Sequence, residues 1–482
     1  MNFLSIDAGT TCCKCQLFDE SGAIKAYLSR EYSLKITNEG QYADVSAIVG
    51  AVFDLIRRIA AEHPIDSVCF SSFGETFVAL DRDGRILFDP MLYTDPRGGE
   101  EAKEIAEIVD ADDYFSLTGV SPHAMYSASK LMWLKKHRPA EFSRIDRVLL
   151  IGDYLGYLLT GKAVIDYSLA ARTGLFDVTN MRFDAALCEK LGFNAGWFSR
   201  PERAGTVVGE VIRRDLLPEG CLLVLGAHDQ VCTALGAGIT GAGEAVDGLG
   251  TVECITAVHS GGADSRKMRR AGICRVPYAF DGLYCSYIVT YSCGSVIKWF
   301  RDELLHRYTG GERDVYSYLE KRMPDRPSDL FLLPLFAGSM IPHNDLSARG
   351  ALIGLSTSTT DGEIYRAIME GLALEMRYET AIAAECGIEV RSAVATGGGA
   401  NSAKWLQIKA DIQRIPFSTL RSAEGGLCGC ALLQATALGK MSVGEAKARF
   451  VRTDRIFTPG EALYEEKYRR YIKLYDHLRE FY

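Results

Sequence analysis

The sequence predicts a mixed α/β protein of two domains, on three observations. The chain has 482 residues, more than one ordinary hydrophobic core organises. Its opening segment reads as three strands, a helix and then further strands. A glycine–threonine hairpin occurs once before and once after a glycine-rich stretch, Gly236 to Gly243. That stretch is the candidate boundary, dividing the chain into domains at 1–241 and 242–482.

The first nineteen residues carry most of the chemistry. Asn2 to Asp7 is an extended, largely apolar run that ends in a lone acid, and Cys12 to Asp19 resumes the pattern. Asp7-Ala8-Gly9-Thr10-Thr11 is therefore a tight turn between two strands. Gly9 removes the Cβ that keeps a ligand off the backbone. Thr10, Thr11 and nearby backbone N–H groups suit phosphate oxygens, and Asp7 suits a metal ion beside them. An ordinary hairpin with a buried start is the alternative, and both readings stay open here.

Ala23 to Tyr32 reads as a third strand, Val45 to Glu62 as a helix stopped by His63-Pro64, and Ser67 to Ser72 as a short buried strand. Phe77 to Asp81 is another strand. Phe73-Gly74-Glu75-Thr76 and Tyr93-Thr94-Asp95-Pro96-Arg97 sit just past strand ends, where α/β sheets hold ligands. Glu75, Asp95 and Arg97 are candidates to hydrogen-bond a polar substrate, and an Asp95–Arg97 ion pair is the alternative. Ser127 to Arg138 and Ile151 to Thr160 are helices, and Asp166 to Asp177 is a polar loop running into an aromatic turn. All three read as scaffold.

Cys221 to Leu225 is a strand that runs through Gly226-Ala227-His228-Asp229-Gln230 into a small-residue helix, Val231 to Gly236. An acid at such a junction is placed to take a proton from a bound hydroxyl. Capping the helix is the other role open to Asp229. Past the glycine stretch, Ala245 to Leu249, Gly250-Thr251 and Val252 to Val258 repeat the opening hairpin weakly. Two such turns, one per domain, can hold one polyphosphate. Ser286 to Tyr291 is a strand, Cys293-Gly294-Ser295 leads into a helix, and Phe331 to Phe336 is a strand. Thr360-Asp361-Gly362-Glu363 has the form of a capping box opening a long helix that ends at Gly387. Val390 to Thr396 is a strand, followed by Gly397-Gly398-Gly399-Ala400-Asn401-Ser402 and a helix from Ala403 to Ile412. Three successive glycines let a flat ring or a phosphate approach the backbone. Glu461 to Tyr482 reads as a charged, tyrosine-rich terminal helix.

Composition excludes several classes. A formal net charge of -8 leaves no basic footprint for nucleic acid. Hydrophobic residues at 48% with charged residues at 24% is a globular balance, without a signal-peptide pattern or a membrane-length apolar run. The 14 cysteines fall into no ligand spacing, so they read as small apolar residues in a reducing cytoplasm.

Together these stretches resemble the FGGY family of carbohydrate kinases. Asp7-Ala8-Gly9-Thr10-Thr11-Cys12-Cys13-Lys14 is similar to its first phosphate motif and Leu249-Gly250-Thr251 to its second. Ser127 to Leu134 is similar to its first signature, and Arg349-Gly350-Ala351 through Glu370 to its second. Gly226 to Gln230 resembles the segment with the catalytic aspartate, and Gly397 to Ser402 the adenosine loop. The matches are in family order and span nearly the whole chain.

The resemblance implies two ribonuclease-H-like domains of the actin and hexokinase type, with ATP in an interdomain cleft. It implies γ-phosphoryl transfer from Mg-ATP to a sugar or polyol hydroxyl, with Asp229 as general base and Asp7 near magnesium. Nucleotide contacts would come from Asp7, Gly9, Thr10, Thr11, Lys14, Gly250, Thr251, Gly294, Gly397, Gly398, Gly399 and Asn401. Sugar contacts would come from Glu75, Thr76, Tyr93, Asp95, Arg97, Asp229 and Gln230. Gly74 stands where glycerol kinases carry arginine, and Tyr93 where they carry tryptophan. Glycine at 74 leaves room for a longer substrate. The expected substrate is an open-chain ketose of five or six carbons, such as xylulose, or a related sugar alcohol. A glycerol kinase, an actin-fold nucleotide switch and a sugar-binding regulator are the rivals. Assembly as a homodimer is left open.

Overall fold

A computed structural model gives the coordinates and describes residues 1–305, 312–421 and 424–482. The chain folds into two compact units. The first comprises Met1–Thr240, Cys274–Cys285 and Glu424–Arg452, and the second Gly241–Ile273, Ser286–Ala423 and Thr453–Tyr482. The chain thus leaves the first unit inside the glycine-rich stretch and returns to it twice.

The first unit is built on a six-stranded sheet, in the order Val207–Glu210, Leu222–His228, Ser67–Ser72, Asn2–Ala8, Cys12–Asp19, Ile24–Glu31. Asn2–Ala8 pairs antiparallel with Cys12–Asp19, with Asp7 opposite Lys14. It pairs parallel with Ser67–Ser72, with Ala8 opposite Ser72. Leu222–His228 is parallel to the same strand, with His228 also opposite Ser72. Three parallel strands therefore end in line, and the residues after Ala8, Ser72 and His228 emerge at one edge.

Alternation along the first strand buries both faces of this sheet. Leu4 and Ile6 join one core with Val52, Leu55 and Ile56 of the helix Val45–Ala60. Phe3 and Phe18 join another with Leu427, Leu432 and Phe450 from the returning segment. That segment carries the helix Gly425–Ala437, whose Gln434 accepts from Ser67 Oγ at 2.7 Å. It also packs on the helix Asp229–Gly236 at backbone distance. A Cβ on Gly429 would lie 2.0 Å from the Cys232 carbonyl oxygen, and one on Gly236 would lie 1.8 Å from that of Gly425. Gly236, expected as the start of the boundary stretch, is a close-contact glycine.

The second unit's sheet has the order Leu283–Thr290 (residues 286–290 of it), Glu253–Ser260, Glu244–Leu249, Ser392–Thr396, Phe417–Leu420, Thr453–Phe457. Glu244–Leu249 pairs antiparallel with Glu253–Ser260, with Leu249 opposite Glu253, and parallel with Ser392–Thr396, with Gly248 opposite Thr396. The Gly250–Thr251 turn and the glycine run after Thr396 thus leave one edge together. The hairpin is fastened from behind. Lys409, on the helix Ala403–Gln413, reaches Asp247 at 3.0 Å and also pairs with Glu253, and none of the three side chains is exposed. The expected capping box is present, with Thr360 and Glu363 opening Asp361–Glu385.

Three segments differ from expectation. Residues 166–177 are an ordered strand–helix–strand, because Asp166 caps the helix Tyr167–Ala171 through Ser168 N and Leu169 N. The strand at Phe331 stops at Leu333, where Pro334 removes the next donor. The terminal helix is broken into Glu465–Tyr471, Leu474–Leu478 and a 3₁₀ turn, Arg479–Phe481. Tyr471 donates to Glu375 at 2.5 Å and Tyr475 to Asp345 at 2.9 Å, so successive turns are tied to different partners. No helix among the described residues is long and apolar enough to cross a membrane.

Replacing Lys409 with methionine leaves two buried carboxylates facing each other without their cation. The expected loss is about 3–5 kcal/mol of second-unit stability in chemical denaturation. A loss under ~1 kcal/mol would mean that the triad does not fasten the hairpin.

Candidate functional site

The edge where three parallel strands end in the first unit gathers two acids. Asp7, the penultimate residue of its strand, accepts a 2.8 Å hydrogen bond from Ser71 Oγ on the neighbouring strand. Burial pushes its carboxyl up to about 6; the Ser71 bond opposes this, and the negative charge of Asp229 adds to it. A Cβ on Gly426, in the first turn of Gly425–Ala437, would lie 3.6 Å from the Asp7 carboxyl carbon. The adjoining turn is tight. Gly9 N donates to Cys12 O at 3.0 Å, and Tyr32 Oη donates to Gly9 O at 2.5 Å. Thr10 is half-buried and Thr11 exposed. Lys14 is held by both oxygens of Glu424 at 3.0 and 2.9 Å.

Asp229 is the first residue of its helix, and the cap is its neighbour. Gln230 N donates to His228 Nδ1 at 3.3 Å and more closely to Asp229, so the two residues share this amide at the helix start. Asp229 Oδ1 shares that N–H at 2.6 Å, and Oδ2 takes no hydrogen bond among the described residues. The Asp229 side chain is 39% exposed while that of His228 is 8% exposed. Burial at the strand end pushes the Asp229 carboxyl up to about 6, against the Gln230 N–H and Arg172. Burial also pushes His228 down to about 4, so the ring is neutral.

Glu75, Thr76 and Asp229 come from adjacent strand ends. Glu75 has a left-handed backbone, φ 62°, which is strained for a residue with a side chain. The strain is held by contacts on both sides. Ser127 Oγ donates to Glu75 O at 2.7 Å, and Arg172 Nε donates to Glu75 Oε1 at 2.6 Å. Thr76 Oγ1 is buried without a partner among the described residues. Gly74 does not open space for a longer substrate. A Cβ there would lie 2.9 Å from His228 and 3.0 Å from Arg172, which fill the room.

Asp95 and Arg97 form the ion pair. Arg97 Nε and a terminal nitrogen donate to the two Asp95 oxygens at 2.7 and 2.8 Å, and Gln41 N adds a 2.7 Å bond. Lys130, wholly buried, donates to the carbonyls of Asp95 and Arg97 at 2.9 and 3.2 Å. Its desolvation pulls the amine down to about 8. Tyr93 and Gln230 are half-buried at the same unit's rim.

In the second unit the other turn and the glycine run line one cavity of about 1150 Å³, with Gly294, Trp299, Tyr316, Glu320 and Trp405. Gly294 N donates to Gly250 O at 3.0 Å, and a Cβ on Gly294 would lie 2.6 Å from that oxygen. The three successive glycines differ in what they require. Gly397 has φ 81° and a Cβ there would meet Leu249 O at 2.7 Å, while one on Gly399 would meet the Trp405 ring at 2.5 Å. A Cβ on Gly398 would meet no protein atom within 4 Å, so its face is open to the cavity. Asn401 Nδ2 closes the turn on Gly398 O at 3.1 Å.

Sequence reasoning missed Arg172, Lys130, Glu320, Glu424 and the capping role of His228. Arg172 and Lys130 lay in segments read as scaffold. Glu424 lies 410 residues from Lys14, a separation that no local pattern bridges.

Comparison with known proteins gives the class and then the family. The xylulose kinase of Bacillus subtilis (strain 168) is 26% identical over 490 residues, covering 98% of this chain and 96% of its own. The glycerol kinase of Agathobacter rectalis is 25% identical over 473 residues, covering 95% and 93%. The crystal structure of xylulose kinase from Rhodospirillum rubrum aligns with a TM-score of 0.91 at 26% identity, covering 100% of this chain and 99% of that one. The fold is thus the two-domain actin- and hexokinase-like one. Residues 2–236 match the N-terminal domain of the FGGY family of carbohydrate kinases and residues 276–438 its C-terminal domain. The chain belongs to that family: it is a kinase that phosphorylates a sugar or polyol, with ATP as phosphate donor.

Gly398→Val should fold normally and weaken ATP binding at least ~10-fold by titration calorimetry, because the new side chain fills ligand space alone. Gly397→Val should lose stability instead, through backbone strain. Unchanged ATP affinity in a folded Gly398→Val protein would remove the adenosine-loop assignment.

Proposed function

We propose that the chain transfers the γ-phosphoryl group of ATP to a hydroxyl of an open-chain ketose of five or six carbons, such as xylulose, or of a related sugar alcohol. Asp229 is the general base in this reading. The observation that carries it is the half-exposed Asp229 carboxylate at the strand-to-helix junction. Gln230 N holds only Oδ1 of Asp229, so among the described residues the other oxygen of this carboxylate is left for an incoming hydroxyl. Its raised pKa suits a base, which works best with a pKa near the operating pH. Xylulose kinases among the relatives support a ketose.

Glu75, Thr76, Tyr93, Arg97 and Gln230 bind the acceptor in this scheme, and Asp95 positions Arg97. Thr76 Oγ1, buried and without a hydrogen-bond partner among the described residues, supports a hydroxyl ligand there. Gly9, Thr10, Thr11, Lys14, Gly250 and Thr251 take the phosphates. Gly294, Gly397, Gly398, Gly399 and Asn401 shape the nucleotide cavity. Attack requires Asp229 to accept the proton as the hydroxyl oxygen bonds to γ-phosphorus and the bridging oxygen leaves with ADP.

Among the described residues no cluster of three or more histidines, cysteines or carboxylates can cage a metal. Magnesium needs no such cage, since it keeps waters and takes one or two carboxylates plus phosphate oxygens. Asp7, whose carboxyl is raised chiefly by burial and less by the charge of Asp229, fits that donor set. Magnesium bound there would neutralise charge developing on the phosphates. Fourteen free thiols support a reducing, cytoplasmic setting.

Glycerol kinase is the second reading, favoured by Glu75 beside Thr76 and by a glycerol kinase among the relatives. A coupled ADP-release screen across ketoses, polyols and glycerol separates the two. Glycerol turned over faster than every ketose would replace the first reading.

Asp229→Ala should lower kcat by roughly 100-fold or more with ATP affinity retained. In the wild type kcat/KM should fall as pH drops through about 6, where Asp229 and Asp7 take up protons. The sign for stability is the reverse. The fold holds the Asp229 proton more tightly than the unfolded chain, so its penalty is absent below pH 3.8, builds up to about 6 and is full above that. Asp229→Asn should therefore melt no lower than wild type at pH 7.5 while losing activity. A lower melting temperature there would mark Asp229 as structural.

A further inference from the structure

Resting on the reading of Lys14 as a phosphate ligand and Asp7 as a metal ligand, the surroundings of these two residues give a role to a third. Asp7 and Lys14 stand directly opposite each other on antiparallel strands. Side chains so placed share one face of the sheet, and opposite charges there attract each other. Yet among the described residues no ion pair joins them. Asp7 accepts from Ser71, and Lys14 turns instead to Glu424, meeting its two oxygens at 3.0 and 2.9 Å.

Glu424 immediately precedes the helix Gly425–Ala437, whose first turn brings Gly426 beside Asp7. It stands at the N-cap position but makes no capping hydrogen bond, so its carboxylate serves the strand rather than its own helix. Tyr27 Oη, on the strand Ile24–Glu31, steadies it with a 3.4 Å bond to Oε1. An ammonium has three N–H donors. Two are spent on Glu424, which leaves one for a phosphate oxygen. The Lys14 and Glu424 side chains are 36% and 27% exposed, and a pair that open to water adds little stability. What it fixes is direction.

We infer that Glu424 is a positioning residue that holds the Lys14 ammonium off Asp7, so that the cation serves the phosphates and the acid serves the metal ion. Released from Glu424, Lys14 would neutralise Asp7 across the strands, and one change would weaken both nucleotide and metal binding. Net charge alone gives the opposite sign. Glu424 is negative beside the phosphates, so removing its charge would then tighten ATP binding.

The test is a double-mutant cycle on the full chain, read by titration calorimetry of ATP with magnesium. Lys14→Met should weaken ATP binding at least ~10-fold. Glu424→Gln should weaken it at least ~5-fold alone and less than ~2-fold when Lys14 is already methionine, because its effect passes through Lys14. Its melting temperature should stay within about 2 °C of wild type. Electron paramagnetic resonance should show manganese, with ADP present, bound at least ~3-fold more weakly by Glu424→Gln than by wild type. Glu424→Ala takes its place if circular dichroism shows Glu424→Gln unfolded. Unchanged or tighter ATP binding in a folded Glu424 variant overturns the inference, as does manganese held as tightly as by wild type. An equal loss of ATP affinity with and without Lys14 also overturns it, since a merely structural residue would behave so. Unchanged ATP affinity in Lys14→Met overturns instead the phosphate assignment on which the inference rests.

Discussion

One backbone N–H decides what the first unit can do. Gln230 N is the donor that a helix start must satisfy, and it is shared between His228 Nδ1, from the last position of its strand, and the nearer Asp229 Oδ1. The acid begins the helix with one oxygen on the shared N–H and one without a hydrogen bond among the described residues. The neutral state of His228 follows from its burial, and a neutral ring is what can accept at Nδ1.

The strand register makes that local choice matter. Ala8 and His228 both stand opposite Ser72, so Asp7 and Asp229 come to neighbouring places on three parallel strands. The two helices beside these acids are then locked by absent side chains. Gly236 and Gly429 permit backbone contact between Asp229–Gly236 and Gly425–Ala437, and Gly426 admits the first turn of the latter beside Asp7. Two acids raised to about 6 are an unfavourable arrangement in themselves, offset by packing elsewhere in the unit. The second unit fastens its own turn differently. A buried lysine bridges Asp247 and Glu253 on the two strands flanking Gly250 and Thr251.

Much of the fold was legible because periodicity reports burial directly. Asn2–Ala8, Ser67–Ser72 and Ile151–Thr160 stand where their patterns put them, and so does the capping box at Thr360. The junction at Asp229 was legible as a site but not as to its cap, since only coordinates show that His228 and Asp229 share the Gln230 N–H. The ordered run through Arg172 was read as loop because its capping acid, Asp166, precedes a helix of five residues, too short to show a period. Gly74 shows the limit of reading one position alone. A missing side chain suggested space, yet Arg172, reached through tertiary packing, occupies it. The three glycines at 397–399 look equivalent in sequence, and the backbone separates them into two structural positions and one facing the cavity.

The account turns on where the Asp229 carboxylate points when an acceptor is bound. A crystal structure with ADP, magnesium and D-xylulose measures it directly. The expected result is an acceptor hydroxyl within about 3.2 Å of an Asp229 carboxylate oxygen. A sugar bound with every hydroxyl beyond about 5 Å from that carboxylate, with no water joining them, would contradict it.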